Sequence, residues 1–160
     1  MTMDIGLLLH HAICGGLAAA GFAVLFNVGL RALPLCAAAG GLMLLMRTVI
    51  LGLGWSMEAA SFLAALTGGA IVQLLPANIG VSRNALHVVG CIPMIPGAFA
   101  AKAILGLFAT TANELSPAND VLLNAIHNSL HVVLTLGALG TGVALPILLL
   151  PHVGRLRNCQ

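Results

Sequence analysis

The chain of 160 residues is 60% hydrophobic and only 6% charged, and its formal net charge at pH 7 is +2. Soluble domains carry about 25% charged residues, so a chain this poor in charge is expected to be an integral membrane protein. The small positive charge is too slight to indicate a nucleic-acid partner, since such partners select strongly basic surfaces.

Apolar runs divide the chain into segments that are long enough to cross a bilayer, which takes about 20 helical residues. We predict transmembrane helices over residues 5–26, 35–53, 59–75, 85–108 and 121–150. The predicted fold is all-α, with about five transmembrane helices in a single transmembrane domain over residues 1–160. The first run lacks the basic flank of a signal peptide and carries Asp4 instead, so we expect it to remain as a permanent span.

Charged residues outside the spans sort to opposite sides of this topology. The arginines share one side: Arg31, Arg83, Arg155 and Arg157. The acids share the other side: Asp4, Glu58, Glu114 and Asp120. Because cytoplasmic connections carry the excess of Lys and Arg, we expect the C-terminus in the cytoplasm and the N-terminus outside. Ser56 and Ser116 are predicted to cap the third and fifth spans, the latter with Pro117 at the first helical position.

The fourth span contains Pro93 and Pro96, followed directly by Gly97. Each proline lacks an N–H and clashes with the carbonyl four residues back, so the helix is expected to break here. In hydrocarbon, a break is tolerated where the freed backbone groups are buried in protein or line a cavity. The half-helix from Gly97 would then present unpaired amides to an anion, as in transporter binding sites. A kinked helix that packs against its neighbours without a ligand is the alternative.

Two basic side chains lie inside the predicted spans, Arg47 in the second and Lys102 in the fourth. A charge at this depth is costly unless it is paired or hydrated. Both are therefore candidate contacts for the carboxylate of a substrate. The alternative is that each side chain extends its long stem towards a membrane interface.

A polar stripe follows one face of the fifth span at helical spacing: Asn124, His127, Asn128, His131 and Thr135. Histidine titrates near neutral pH, so His127 and His131 are candidate proton relays. Two histidines four residues apart can also bind a metal ion, but no acid or thiolate accompanies them, and no metal site is predicted. Hydrogen bonding of the stripe across helices is an equal alternative.

The sequence contains no catalytic motif of the types G-x-S-x-G or H-E-x-x-H, and no paired catalytic carboxylates. Its four cysteines form no C-x-x-C pair. We therefore expect neither enzymatic activity nor a cofactor.

The segment Gly-Phe-Ala-Val-Leu-Phe-Asn-Val at residues 21–28 is followed by Arg-Ala-Leu at 31–33, by Arg47 and by Pro-Met-Ile-Pro-Gly at 93–97. This combination, which Asn128 and Gly-Ala-Leu at 137–139 also fit, resembles the threonine/serine exporter family. The closer similarity is to its small membrane subunit, which corresponds to the C-terminal half of full-length exporters. Lys102 and His131 depart from the family pattern.

The resemblance implies a multi-pass exporter of small carboxylates in the bacterial inner membrane, for threonine and serine or for dicarboxylates such as succinate. It also implies proton coupling and an oligomeric assembly with a larger membrane subunit. The residues expected at the substrate are Pro93, Pro96, Gly97, Arg47, Lys102 and Asn128. Two other functions remain open, namely a structural or assembly subunit without its own substrate site, and an ion or metal channel that uses His127 and His131.

Overall fold

A computed structural model of the protein describes residues 5–76, 81–112 and 118–149. All regular structure in these ranges is helical. The α-helices in chain order are α1 (Ile5–Leu25), α2 (Leu33–Gly52), α3 (Met57–Leu74), α4 (Arg83–Cys91), α5 (Gly97–Ala112) and α6 (Ala118–Leu149). Short 3-10 helices precede α2 and follow α4, at Leu30–Ala32 and Ile92–Met94.

The described helices confirm the predicted all-helical membrane fold. Four stretches are long and apolar enough to cross a bilayer: Gly6–Leu25, Leu30–Gly52, Met57–Leu74 and Val121–Leu149. A bent pair, Arg83–Met94 with Gly97–Thr110, makes a fifth span if it is counted as one broken element. The predicted orientation and the predicted cap of the fifth span rest partly on residues outside the described part of the chain. These residues are Asp4, Glu114, Ser116, Pro117, Arg155 and Arg157, together with the side chain of Asp120.

Local signals in the sequence account for where these helices begin and end. The N–H of Ala59 donates to Oγ of Ser56 at 3.3 Å, which confirms the predicted cap of α3. Ser82 caps α4 in the same way. The turn after α1 places Asn27 at φ 56°, and the turn after α2 places Gly54 at φ 86°. Both φ values fall in the left-handed region, which asparagine tolerates and glycine adopts freely.

The described residues form two compact units, one within residues 1–94 and 138–160 and the other within residues 95–137. In the first unit, α2 is the central helix and packs against α1, α3 and α4. The largest fully buried apolar side chains of this unit are Met43, Leu86 and Met94. Met43 of α2, Leu86 of α4 and Met94 of the following 3-10 helix therefore share the interior of this unit.

Small residues let α1 and α2 approach closely, as the spacing of Ala12 and Gly16 predicts for a helix interface. A Cβ atom added to Gly16 would lie 3.0 Å from the carbonyl oxygen of Ala37. A Cβ atom added to Gly41 would lie 2.7 Å from the carbonyl oxygen of Ala12. Neither backbone could keep its place against a larger side chain, so the glycines set the distance between the helices.

The second unit contains α5 and the first part of α6, which pack antiparallel. A Cβ atom added to Gly106 would lie 2.8 Å from Cβ of Ala125, whose side chain is buried. Further along, the ring centroids of Phe99 and His131 lie 5.7 Å apart. These two contacts align α5 with the polar stripe of α6.

We expect Gly41→Val to destabilise the first unit by about 1–3 kcal/mol, the usual cost of inserting methyl groups into a packed interface. The added atoms would overlap the Ala12 carbonyl, so α1 and α2 must separate. The midpoint of thermal unfolding in detergent measures the effect. The control is Gly21→Val in α1, because nothing lies within 4 Å of a Cβ atom at Gly21 among the described residues. Equal midpoints for the two variants would contradict this account of the interface.

Candidate functional site

The predicted break in the fourth span is present. The 3-10 helix after α4 ends at Met94, Ile95 and Pro96 lie outside any helix, and α5 begins at Gly97. The carbonyl of Pro96 accepts a backbone hydrogen bond from Ala100 at 3.2 Å, which closes the first turn of α5. The N–H of Gly97 donates to the carbonyl of Ile95 at 2.8 Å. The Gly97 amide is thus already paired, which differs from the expectation that the half-helix presents its first amide unpaired.

Arg47 binds a backbone carbonyl at the break in the fourth span. Its side chain is only 6% exposed, and Nη1 donates to the carbonyl oxygen of Met94 at 2.8 Å. In a continuous helix that carbonyl would accept the N–H of residue 98. The break removes this partner, and the guanidinium replaces it. A positive charge at the C-terminal end of a helical segment also interacts favourably with the helix dipole.

The charge of Arg47 is not balanced by an acid in the described part of the chain. The guanidinium makes no ion pair there, and its buried Nε has no hydrogen-bond partner. A guanidinium keeps its proton under all ordinary conditions, and a buried charge is costly unless it is paired. One carbonyl satisfies only part of its five-donor capacity. Arg47 therefore retains donors for an anion.

The remaining predicted substrate residues are placed as follows. Pro93 lies in the 3-10 helix that ends α4. The space beside Gly97 is open, since nothing among the described residues lies within 4 Å of a Cβ atom added there. Lys102 is exposed, and its Nζ lies 5.9 Å from the centroid of the Phe99 ring. Asn128 is half-buried on α6.

The two histidines of the polar stripe contact each other directly. Nε2 of His127 and Nε2 of His131 lie 3.1 Å apart, so one ring donates a hydrogen bond to the other. Their centroids lie 4.6 Å apart with the rings edge-on, and Phe99 of α5 packs beside His131. Thr135, one turn further on, is fully buried and donates to the carbonyl of His131 at 2.6 Å. The stripe therefore runs from an exposed Asn124 to a buried Thr135.

A further buried histidine, to which the sequence assigned no role, lies in the first unit. His87 is 0% exposed, and its Nε2 donates to the carbonyl of Ala65 at 2.9 Å. Its Nδ1 is buried and has no hydrogen-bond partner in the described part of the chain. A Cβ atom added to Gly69 would overlap the imidazole ring, so this glycine makes the room that the ring occupies. The one sequence signal for this contact is the glycine pair Gly68-Gly69 in α3, which leaves space for a side chain of a neighbouring helix.

We expect Gly69→Ala to destabilise the first unit, because the methyl group and the His87 ring cannot occupy the same space. In His87→Ala the ring is gone, and adding Gly69→Ala to it should cost much less. The coupling between the two substitutions should be about 1–3 kcal/mol, as for other residues in direct contact. Thermal unfolding of the two single variants and the double variant measures it. Additive effects would show that Gly69 does not make room for His87.

The chain matches a protein-family model described as Threonine/Serine exporter, ThrE, over residues 11–149. The matched range contains Arg47, the break at Pro93 to Gly97, and both histidines of the stripe. No solved structure matches the chain.

Proposed function

Because the chain belongs to the threonine/serine exporter family, we propose that it is an export subunit in which Arg47 binds the carboxylate of the substrate. The observation that carries the proposal is the buried guanidinium. It donates to the Met94 carbonyl, lacks an acidic partner in the described residues, and keeps an unpartnered Nε. The substrates we propose are threonine and serine or small dicarboxylates such as succinate.

The proposed contact couples substrate binding to the break. A carboxylate accepts two parallel hydrogen bonds from a guanidinium, which makes this pair stronger than a bond to a neutral carbonyl. A substrate that engages the unpartnered Nε of Arg47 would draw the guanidinium towards itself and weaken its bond to the Met94 carbonyl. Weakening the Arg47 contact leaves that carbonyl without a partner, and the segment after α4 must rearrange to satisfy it.

Other residues support the same function through charge and backbone polarity. We propose that Pro93 and Pro96 keep the break open, because neither can supply a helical N–H. Gly97 begins α5, and the next two amides, those of Ala98 and Phe99, have no acceptor within the helix. We also propose Lys102 and Asn128 as substrate contacts, since one is cationic and the other is a half-buried amide on the polar stripe.

We further propose that export is coupled to protons through His127 and His131. Imidazoles 3.1 Å apart can pass a proton from one ring to the other without a large movement. The assembly we propose places this chain in the bacterial inner membrane, with the N-terminus outside and the C-terminus in the cytoplasm. There it would work in an oligomer with a larger membrane subunit.

We expect Arg47→Gln to reduce carboxylate export by roughly 10- to 100-fold. The variant loses a charge-assisted hydrogen bond of about 1.5–3 kcal/mol to the substrate. Proteoliposomes loaded with labelled threonine, serine and succinate measure the export, with and without the larger subunit. The control is Arg31→Gln, because Arg31 is exposed.

Normal export by Arg47→Gln would remove Arg47 from the substrate site. Recovery of the assembled complex by size-exclusion chromatography should be unchanged in both variants, so a loss of export would not reflect a loss of assembly. Crosslinking of a substrate analogue to the larger subunit alone would favour the alternative that this chain serves assembly.

We expect the double substitution Pro93→Ala and Pro96→Ala to close the break and stop export. With N–H groups restored, the helix can continue and the Met94 carbonyl can accept the amide of residue 98. Arg47 then loses its backbone partner. Hydrogen exchange of the amides of Ile95, Gly97 and Ala98 should slow, and export should fall. Slow exchange together with full export would show that the break serves packing only.

A further inference from the structure

The paired histidines of α6, which the proposed function assigns to proton transfer, also have a geometry that suits a metal ion. His127 and His131 lie one helical turn apart, and their Nε2 atoms converge to 3.1 Å. We propose that these two imidazoles form a chelating site for a divalent transition-metal ion such as Ni²⁺, Cu²⁺ or Zn²⁺. Both ligands lie on a single helix, α6.

The separation of the two nitrogens fits a shared ion. Imidazole nitrogens coordinate such ions at about 2.0–2.1 Å, so two nitrogens 3.1 Å apart subtend an angle of about 100° at the ion. That angle lies between the right angle of square-planar or octahedral coordination and the wider tetrahedral angle. The rings therefore need to turn about their side-chain bonds, but the helix backbone does not need to move.

Binding replaces one hydrogen bond by two metal–nitrogen bonds. In the neutral pair, one Nε2 carries the hydrogen that the other Nε2 accepts. The donor ring must move that hydrogen to its Nδ1 before both Nε2 lone pairs can face the ion, and no net proton is then released. Phe99 packs beside His131 and limits how far that ring can turn away.

The described residues supply two imidazole nitrogens to the ion. No group of three or more His, Cys, Asp or Glu side chains that could hold a metal occurs among the described residues. Two protein ligands leave the other coordination positions to water, which is typical of an exchangeable ion rather than of a closed structural site. The exposure of His127 gives an ion a path to the pair. An ion bound there occupies both lone pairs that a proton relay would need.

The test uses the full-length chain in detergent, titrated with Ni²⁺ and Cu²⁺. Isothermal titration calorimetry should give one ion per chain in this site, and Cu²⁺ electron paramagnetic resonance should show two nitrogen ligands. His127→Gln and His131→Gln should each weaken binding at least tenfold. The double substitution His131→Gln and Val132→His keeps the number of imidazoles but moves one to the next position, and it should weaken binding equally.

A second pair at the same spacing provides the control. Nε2 of His10 and Sγ of Cys14 lie 3.6 Å apart on α1, so His10→Gln together with Cys14→Ser removes the other chelating pair. This variant should keep the ion on α6 with unchanged affinity. Retained two-nitrogen binding in His127→Gln or in the shifted variant would overturn the proposal, as would the absence of binding to the wild-type chain. Because these readouts do not involve transport, a failure of the metal-site proposal would not count against the proposed export function.

Discussion

The hydrogen bond from Arg47 to the Met94 carbonyl is the interaction on which the first unit depends. A membrane interior tolerates neither a carbonyl without a partner nor a guanidinium without one. The break in the fourth span creates the first of these problems, and the arginine in α2 creates the second. Each group supplies the partner that the other lacks. The solution is incomplete, because Nε of Arg47 is buried without an acceptor in the described part of the chain, and this is the feature on which the proposed anion contact rests.

Small residues allow the helices of the first unit to pack closely. Gly16 and Gly41 bring α1 and α2 to backbone contact, and Gly69 admits the His87 ring between α3 and α4. Apolar association is weak in lipid, so such interfaces depend on van der Waals contact and on a few interhelical hydrogen bonds. The bond from His87 to the Ala65 carbonyl is one of these. A helix this tightly held can keep a buried charge at a defined depth.

The two units differ in the chemistry that they offer to a carrier. The first holds a permanent positive charge, since arginine does not titrate in proteins. The second holds two imidazoles in direct contact, with their Nε2 atoms 3.1 Å apart. In the exporter we propose, the arginine would attract the carboxylate while the imidazole pair would pass protons. The same imidazole pair has the nitrogen spacing of a metal chelate, so protons and metal ions would compete for it.

The amino-acid sequence by itself determined the helices, the broken span and the placement of His127 and His131 on one helical face. These features are local, because hydropathy, the missing N–H of proline and the i,i+4 spacing act within a few residues. Tertiary structure alone decided what Arg47 and His87 bind. Their partners lie 47 and 22 residues away along the chain. Such contacts arise only when separate helices pack. Every residue has a backbone carbonyl, so the sequence does not show which carbonyl a distant side chain will bind.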